Sequence, residues 1–310
     1  MSILKWVGGK SQIMTELIQH IPKQIDTYYE LFIGGGSVLI ELLELTENDK
    51  ISINNFIIND INTELINLYK NIMSKYNELI DDLNLLSKEF KALPYIKTEK
   101  KKKITPPENK EECANRKVFY YWVRKEYNKL KKEDSTDNDI KKSSYFIFLN
   151  KVGFRGLYRE NTKSEFNVSY GNYKNPKILN KQIIKRLNYL FNKYNVKFVN
   201  LSFEKIFIDR FELKNNDFIY IDPPYYPIND SSFTAYSESN FKLDQHTDLI
   251  KLLENINNKE VKFLMSNSYT KWIIKNTNKY NTKKIKCKRL INSKKPNSTE
   301  FEILVYNFVL

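Results

Sequence analysis

The sequence predicts an α/β fold, a doubly wound Rossmann-like sheet that carries an inserted, mainly helical domain. Three observations predict it. The first hundred residues run as strand, glycine turn, helix, strand, acid, helix, which is how a nucleotide-binding sheet begins. The same alternation resumes near Ile178 and continues to the last residues. Between the two stretches lies a long, basic and polar segment with no strand pattern.

Residues 27–32 form a short β-prone run that ends in Gly34-Gly35-Gly36, and 37–45 then reads as a helix. Residues 51–59 are apolar and β-branched and end at Asp60. In 63–73, Leu65, Ile66, Leu68, Tyr69 and Ile72 recur at helical spacing. Residues 74–150 are highly charged and mostly helical in pattern, with an aromatic, basic helix at 118–130. The lysine run and Pro106-Pro107 within 97–112 predict a mobile loop, and 129–142 is a second polar stretch. Residues 151–177 are rich in loop signals, among them Gly153, Gly156, Gly171 and Pro176. A helix from 178 to about 194, strands at 197–201, 217–221 and 261–265, a helix at 243–255 and a closing strand at 301–310 complete the pattern. The expected division is a core made of 1–74 and 178–310, with 75–177 inserted.

The chain has 310 residues and a formal charge of +14. Residues 91–200 hold 27 Lys and Arg against 11 Asp and Glu, which leaves the remainder slightly acidic. A lysine-rich codon bias accounts for many lysines, but not for their uneven partition against acids. A field confined to one segment points to a polyanionic partner. The two cysteines, Cys113 and Cys287, are far apart, which argues against a disulfide scaffold or a cysteine metal site and sets the expectation of no metal. No targeting signal or long apolar span stands out, so the expectation is a cytoplasmic chain, or one located wherever its polyanion is, without membrane contact.

Asp222-Pro223-Pro224-Tyr225 follows an apolar strand directly. An amino group on a heterocycle is a poor nucleophile because its lone pair is delocalised. Two acceptors placed around its N–H bonds localise that lone pair. The Asp222 carboxylate is one such acceptor, and a backbone carbonyl in a turn stiffened by Pro223 and Pro224 is the other. Tyr225 offers a face for an unstacked base. A chance acid-Pro-Pro turn is the plain alternative. The turn at 30–37, which includes Phe32, Gly34, Gly36 and Ser37, allows close approach of a cofactor, although many α/β proteins have one like it. No P-loop lysine follows it. Asp60 suits either ribose hydroxyls or a helix cap. Lys5-Trp6-Val7-Gly8-Gly9-Lys10 reads as a clamp for a zwitterion or as a flexible terminus. Aromatic and polar residues alternate in 154–159 and 166–174, which suits base stacking and base-edge contacts, or else a solvated basic loop.

In this order the motifs resemble the Dam-like DNA adenine N6-methyltransferases of the D12 class. They include Lys5-Trp6-x-Gly8-Gly9-Lys10, Leu31-Phe32-x-Gly34-Gly35-Gly36-Ser37, Asp60-Ile61-Asn62, Gly156-Leu157-Tyr158-Arg159 and Glu165-Phe166-Asn167-Val168. Gly171-x-Tyr173-Lys174, Asp222-Pro223-Pro224-Tyr225, Asp244-Gln245 and Ser266-Asn267 fit as well. The resemblance implies a Rossmann-like methyltransferase sheet, S-adenosylmethionine as cofactor and double-stranded DNA as partner, with 75–177 as the target-recognition domain. It implies cofactor contacts from Trp6, Lys10, Phe32, Gly34, Gly36, Ser37, Asp60 and Asp222. It implies that Asp222 holds the target amino group and that Tyr225 stacks on a flipped adenine. It implies DNA contacts from Lys5, Phe154, Arg155, Leu157, Arg159, Asn167 and Lys174, with Arg159 on a guanine edge and Phe154 and Arg155 at the gap left by flipping. The implied target is GATC or a related short site. Arg155 stands where the family commonly has Asn, and Ser169 where it has Pro. A restriction–modification role, with a cognate endonuclease as partner, is compatible with these motifs. So are cytosine N4 or RNA as substrate, and a silent DNA-binding protein of the same fold.

Overall fold

Each chemistry-bearing motif in the first and fourth strands stands where a buried parallel strand ends. The computed structural model describes residues 2–97, 104–133, 139–228, 241–288 and 299–309. Among these residues the chain forms two compact units: Met1–Gly8 with Asn62–Lys193, and Gly9–Ile61 with Tyr194–Leu310.

The second unit contains the sheet. Its strands are β1 (Gln24–Glu30), β2 (Ser52–Asn59), β3 (Lys197–Val199), β4 (Phe218–Ile221), β5 (Lys262–Ser268), β6 (Asn281–Lys288) and β7 (Thr299–Tyr306). Their order is β3-β2-β1-β4-β5-β7-β6. The first five strands are parallel, and β7 runs antiparallel between β5 and β6. All four residues of β4 are buried, as expected where both faces of a parallel sheet are covered. Helices α1 (Met14–Gln19), α2 (Ser37–Glu47), α8 (Ile206–Asp209), α9 (Leu243–Asn258) and α10 (Lys271–Asn276) belong to the same unit. Leu249, Leu253 and Ile256 of α9 share one core with Ile219 and Ile221 of β4 and Phe263 and Met265 of β5. Chain order along the sheet reverses between β1 and β4, which pair directly. That reversal opens a crevice beyond the carboxyl ends of these two strands, where doubly wound sheets bind ligands.

The helical unit holds α3 (Thr63–Ser74), α4 (Tyr76–Ala92), α5 (Arg116–Lys132), α6 (Asp139–Val152) and α7 (Lys181–Lys193). Residues 142–150 of α6 are buried on all sides, which marks α6 as its central helix. Phe148 of α6 meets Phe90 of α4 edge-on at 5.2 Å and Phe119 of α5 at 6.0 Å. Asn188 of α7 donates to the Met73 carbonyl at 2.7 Å, which ties α7 to the end of α3.

The predicted α/β fold is the observed one, and most expected elements lie within a few residues of their observed ends. Helix α5 begins at Arg116 because the Asn115 side chain caps it, accepting from the backbone of Lys117 and Val118. The expected loop at 97–112 and the polar stretch at 129–142 lie partly outside the described residues. Within the described part, 110–112 is a short 3₁₀ turn, and both ends of the polar stretch are helical. No helix among the described residues is long and apolar enough to cross a membrane.

Candidate active site

The chain that leaves β4 carries Asp222 into the crevice. One carboxylate oxygen of Asp222 lies 2.7 Å from the Lys10 ammonium, and the other accepts from the Ser266 hydroxyl at 2.9 Å. Lys10 is almost wholly buried, at 3% exposure, while Asp222 keeps 20%. The cation is therefore committed to the site, and the carboxylate still faces outward. Burial pushes the Asp222 carboxyl above the ordinary range, and Lys10 and Ser266 pull against that rise. Tyr220 in β4 bonds Ser266 at 3.1 Å, so Ser266 is itself oriented. The Lys10 ammonium also stands 4.9 Å from the centre of the Tyr225 ring, and the Tyr225 hydroxyl donates to Glu302 at 2.8 Å. Asn267 Oδ1 accepts the Tyr226 N–H at 3.0 Å and fixes the exit of the turn. Tyr226 stacks on Trp272 at 4.7 Å with only 3° between the planes. Beside them His246 is buried, and desolvation holds it down at about 4, so it is neutral and aromatic in character.

The turn after β1 completes the crevice. Gly34 and Gly36 adopt φ of +48° and +68°, a region that costs side-chain-bearing residues. The Gly34 N–H donates to the Asp60 carboxylate at 3.0 Å, and the Lys10 N–H donates to Ser37 Oγ at 3.3 Å. Asn62 caps α3 by accepting from the Leu65 backbone at 3.1 Å, so the capping role considered for Asp60 is filled elsewhere. Phe32 packs against Phe203 and Phe241 at 5.4 and 5.9 Å, giving an aromatic wall. Glu30, buried at the end of β1, accepts from the Tyr28 hydroxyl at 2.9 Å, and burial raises its carboxyl to about 8.

In the helical unit, the buried Asn150 organises the basic loop. Its side chain accepts the Lys5 N–H at 2.8 Å and donates to the carbonyls of Lys5 and Gly156 at 2.7 and 3.0 Å. Lys5 lies over the Tyr173 ring at 4.3 Å. The Tyr173 hydroxyl accepts the Arg155 N–H at 3.0 Å, and Arg155 takes a φ of +56°. Phe154 is 46% exposed, with the Arg155 guanidinium 5.2 Å from its ring. Arg159 donates to Asn167 at 2.7 Å, which sets the direction of its guanidinium. Leu157 is half-buried, and Lys174 is exposed. Trp6 stacks on Tyr158 at 5.9 Å and meets Phe146 at 6.4 Å, so its contacts here are those of the helical unit. Burial, and secondarily Lys5, lower Lys151 to about 8.

These two constellations match one family in sequence. The model of the D12 class N6 adenine-specific DNA methyltransferases matches residues 6–294. The chain belongs to this family. A type II methyltransferase of Methanocaldococcus jannaschii, M.MjaIII, is 38% identical over 98% of both chains. The retron Ec67 DNA adenine methylase of Escherichia coli is 32% identical over 94% of this chain and 85% of its own. A DNA adenine methylase of Haemophilus influenzae is 29% identical over 93% and 87%. The protein is therefore a methyltransferase enzyme of the DNA-adenine class, and that class generally takes its methyl group from S-adenosylmethionine.

Of the residues singled out from sequence, the sheet unit brings together Lys10, the 32–37 turn, Asp60 and Asp222 to Tyr225. The helical unit gathers Lys5, Trp6, 154–159, Asn167 and Lys174. Glu302, Tyr220 and Asn150 were not singled out. Each acts through a partner 46 to 145 positions away, and no local motif reports such a contact.

Proposed function

We propose that this enzyme methylates N6 of an adenine turned out of duplex DNA, using Asp222 and the Asp-Pro-Pro turn to polarise the amino group. The observation that carries the reading is the Asp222 carboxylate. It stands at the end of β4, at the sheet's reversal point, held by Lys10 at 2.7 Å and Ser266 at 2.9 Å. Held in this way it has no need to reorganise when an N–H bond arrives. One amino hydrogen is accepted by Asp222 and the other by a backbone carbonyl of the proline turn. The nitrogen lone pair then points away from both, and Tyr225 supports the ring by stacking. As the new N–C bond forms, the nitrogen sheds a proton to solvent, and Asp222 acts by polarising and positioning.

S-adenosylmethionine supplies the electrophilic methyl group when bound. The residues present fit it: Asp60 is an acid for ribose hydroxyls, and the positive-φ turn at Gly34 and Gly36 admits close approach. Phe32 offers an aromatic wall, and Lys10, Ser37 and Asp222 supply polar contacts. The buried Asn267 Nδ2, without a partner among the described residues, is a further donor at the catalytic turn.

For DNA we assign Lys5, Phe154, Arg155, Leu157, Arg159, Asn167 and Lys174, with Arg159 reading guanine in GATC or a closely related site. The Arg159–Asn167 bond supports this assignment, because a bidentate base contact needs a fixed guanidinium. The relative named a type II methyltransferase supports a restriction–modification role, with a cognate nuclease as partner. Transfer of tritiated methyl from S-adenosylmethionine to unmethylated DNA tests the mechanism. Asp222→Ala is expected to lose at least about a hundredfold in rate, and retained activity would overturn the reading.

A further inference from the structure

We propose that Glu302 is a positioning residue for Tyr225, its carboxylate fixing the ring of the base-stacking tyrosine through the phenol hydroxyl. The inference rests on the reading of Tyr225 as the face that receives the flipped base. Tyr225 lies in the turn after β4, outside any helix or strand. The structure sets its ring from a distance. The hydroxyl donates to Glu302 at 2.8 Å, from a strand 77 positions further along the chain. The Lys10 ammonium, which also holds Asp222, lies over the ring, 4.9 Å from its centre. Acceptor and stacking face are thus registered to each other by one cation and one carboxylate.

Glu302 is a rigid anchor. Its backbone sits in β7 opposite Ser268 of β5 and Ile285 of β6, in the interior of the sheet. Burial, and then the charges of Asp222 and Glu302, hold the Tyr225 hydroxyl well above its ordinary range, so it remains a donor. A half-buried carboxylate costs desolvation wherever it stands. Water would satisfy an exposed phenol at no such cost. The pairing gains a ring oriented before the base arrives, so that less side-chain freedom is lost when stacking occurs.

A double-mutant cycle on the full chain tests this, with tritiated methyl transfer to PCR-amplified, unmethylated DNA of mixed sequence as the readout. Tyr225→Phe removes only the hydroxyl, and Glu302→Ala removes its acceptor together with the carboxylate charge. Each is expected to lower kcat by roughly tenfold, the scale of one hydrogen bond to a charged group, with KM for DNA and cofactor affinity within about twofold of wild type. The double variant is expected to match either single variant, because both remove one and the same bond. Glu302→Gln, whose amide oxygen still accepts, is expected to retain most of the activity. A double variant that loses the product of the two single losses overturns the proposal, as does Tyr225→Phe at the wild-type rate. Tyr225→Ala separates the two claims. Full activity there defeats the stacking reading itself, whereas an inactive Tyr225→Ala with an additive cycle defeats only the role of Glu302. Should Glu302→Ala melt early, the contrast between Tyr225→Phe and Glu302→Gln decides: equal rates overturn the proposal, and loss only in Tyr225→Phe upholds it.

Discussion

Replacing Gly156 by Ala probes the loop that we assign to DNA. Gly156 has a φ of +66°, and a Cβ added there would stand 2.3 Å from Lys5 Cβ and 2.9 Å from Lys5 Cδ. Carbon atoms in contact sit near 3.5–4.0 Å, so the clash is severe. It falls on the root of the Lys5 side chain, not on its mobile end. Lys5 has little room to retreat, because the Asn150 side chain holds both its N–H and its carbonyl. The left-handed backbone costs an alanine about 1–2 kcal/mol, and overpacking of this kind costs about 1–3 kcal/mol. The sum is roughly 2–5 kcal/mol, which lowers Tm by about 3–8 °C in a chain of this size. Gly8→Ala is the matched control. Gly8 has a φ of +82°, but nothing lies within 4 Å of its added Cβ. It should therefore show the backbone cost alone, about 1–2 kcal/mol. Thermal unfolding followed by circular dichroism measures both, and DNA affinity at fixed salt reports the loop. If Gly156→Ala melts no lower than Gly8→Ala and binds DNA as the wild type does, the Lys5–Asn150–Gly156 clamp is wrong.

Two further outcomes follow from the same contacts. Lys10→Met removes the charge that opposes the burial-driven rise of Asp222, so this carboxyl rises further. Activity that needs the carboxylate is lost as pH falls through its folded pKa, so the acid limb of the kcat profile moves to higher pH. Each unit of movement costs about tenfold on that side. Profiles at saturating S-adenosylmethionine check it, and an unmoved limb contradicts it. Arg159→Ala should weaken methylation of the preferred site by about 1–3 kcal/mol and relax one base position. Arg159→Lys should not restore selectivity, because an ammonium lacks the guanidinium's planar fork. Competition between single-base variants of the site is the measurement.

The sheet was largely legible because its evidence is local. The apolar run 218–221 and the turn that follows it lie within eight consecutive residues, and burial of both strand faces forces the hydrophobic content. Strand β6 was not read, since Asn281–Lys288 is half lysine and lies at the sheet edge, where charge is tolerated. The Asp222 turn announced its chemistry, but the devices that hold it did not. Ser266 matched a motif without a role until its 2.9 Å bond to Asp222 was seen. Glu302 looked like one acid among many. The compact helical unit also takes in α3 and α7, beyond the insertion read at 75–177. Asn71 of α3 donates to Ser143 of α6 at 2.9 Å and Asn188 of α7 to the Met73 carbonyl of α3, and a periodicity argument sees only one helix at a time.

The central proposal is that Asp222 polarises an adenine amino group in DNA. Methylation-aware sequencing of unmethylated DNA exposed to the enzyme and S-adenosylmethionine tests it most directly, because the modified base and its surroundings are read together. The account predicts N6-methyladenine at one short site, GATC or a close relative, and unmodified DNA from Asp222→Ala. N4-methylcytosine in its place, adenine methylation without a preferred site, or an unchanged pattern from Asp222→Ala would contradict it.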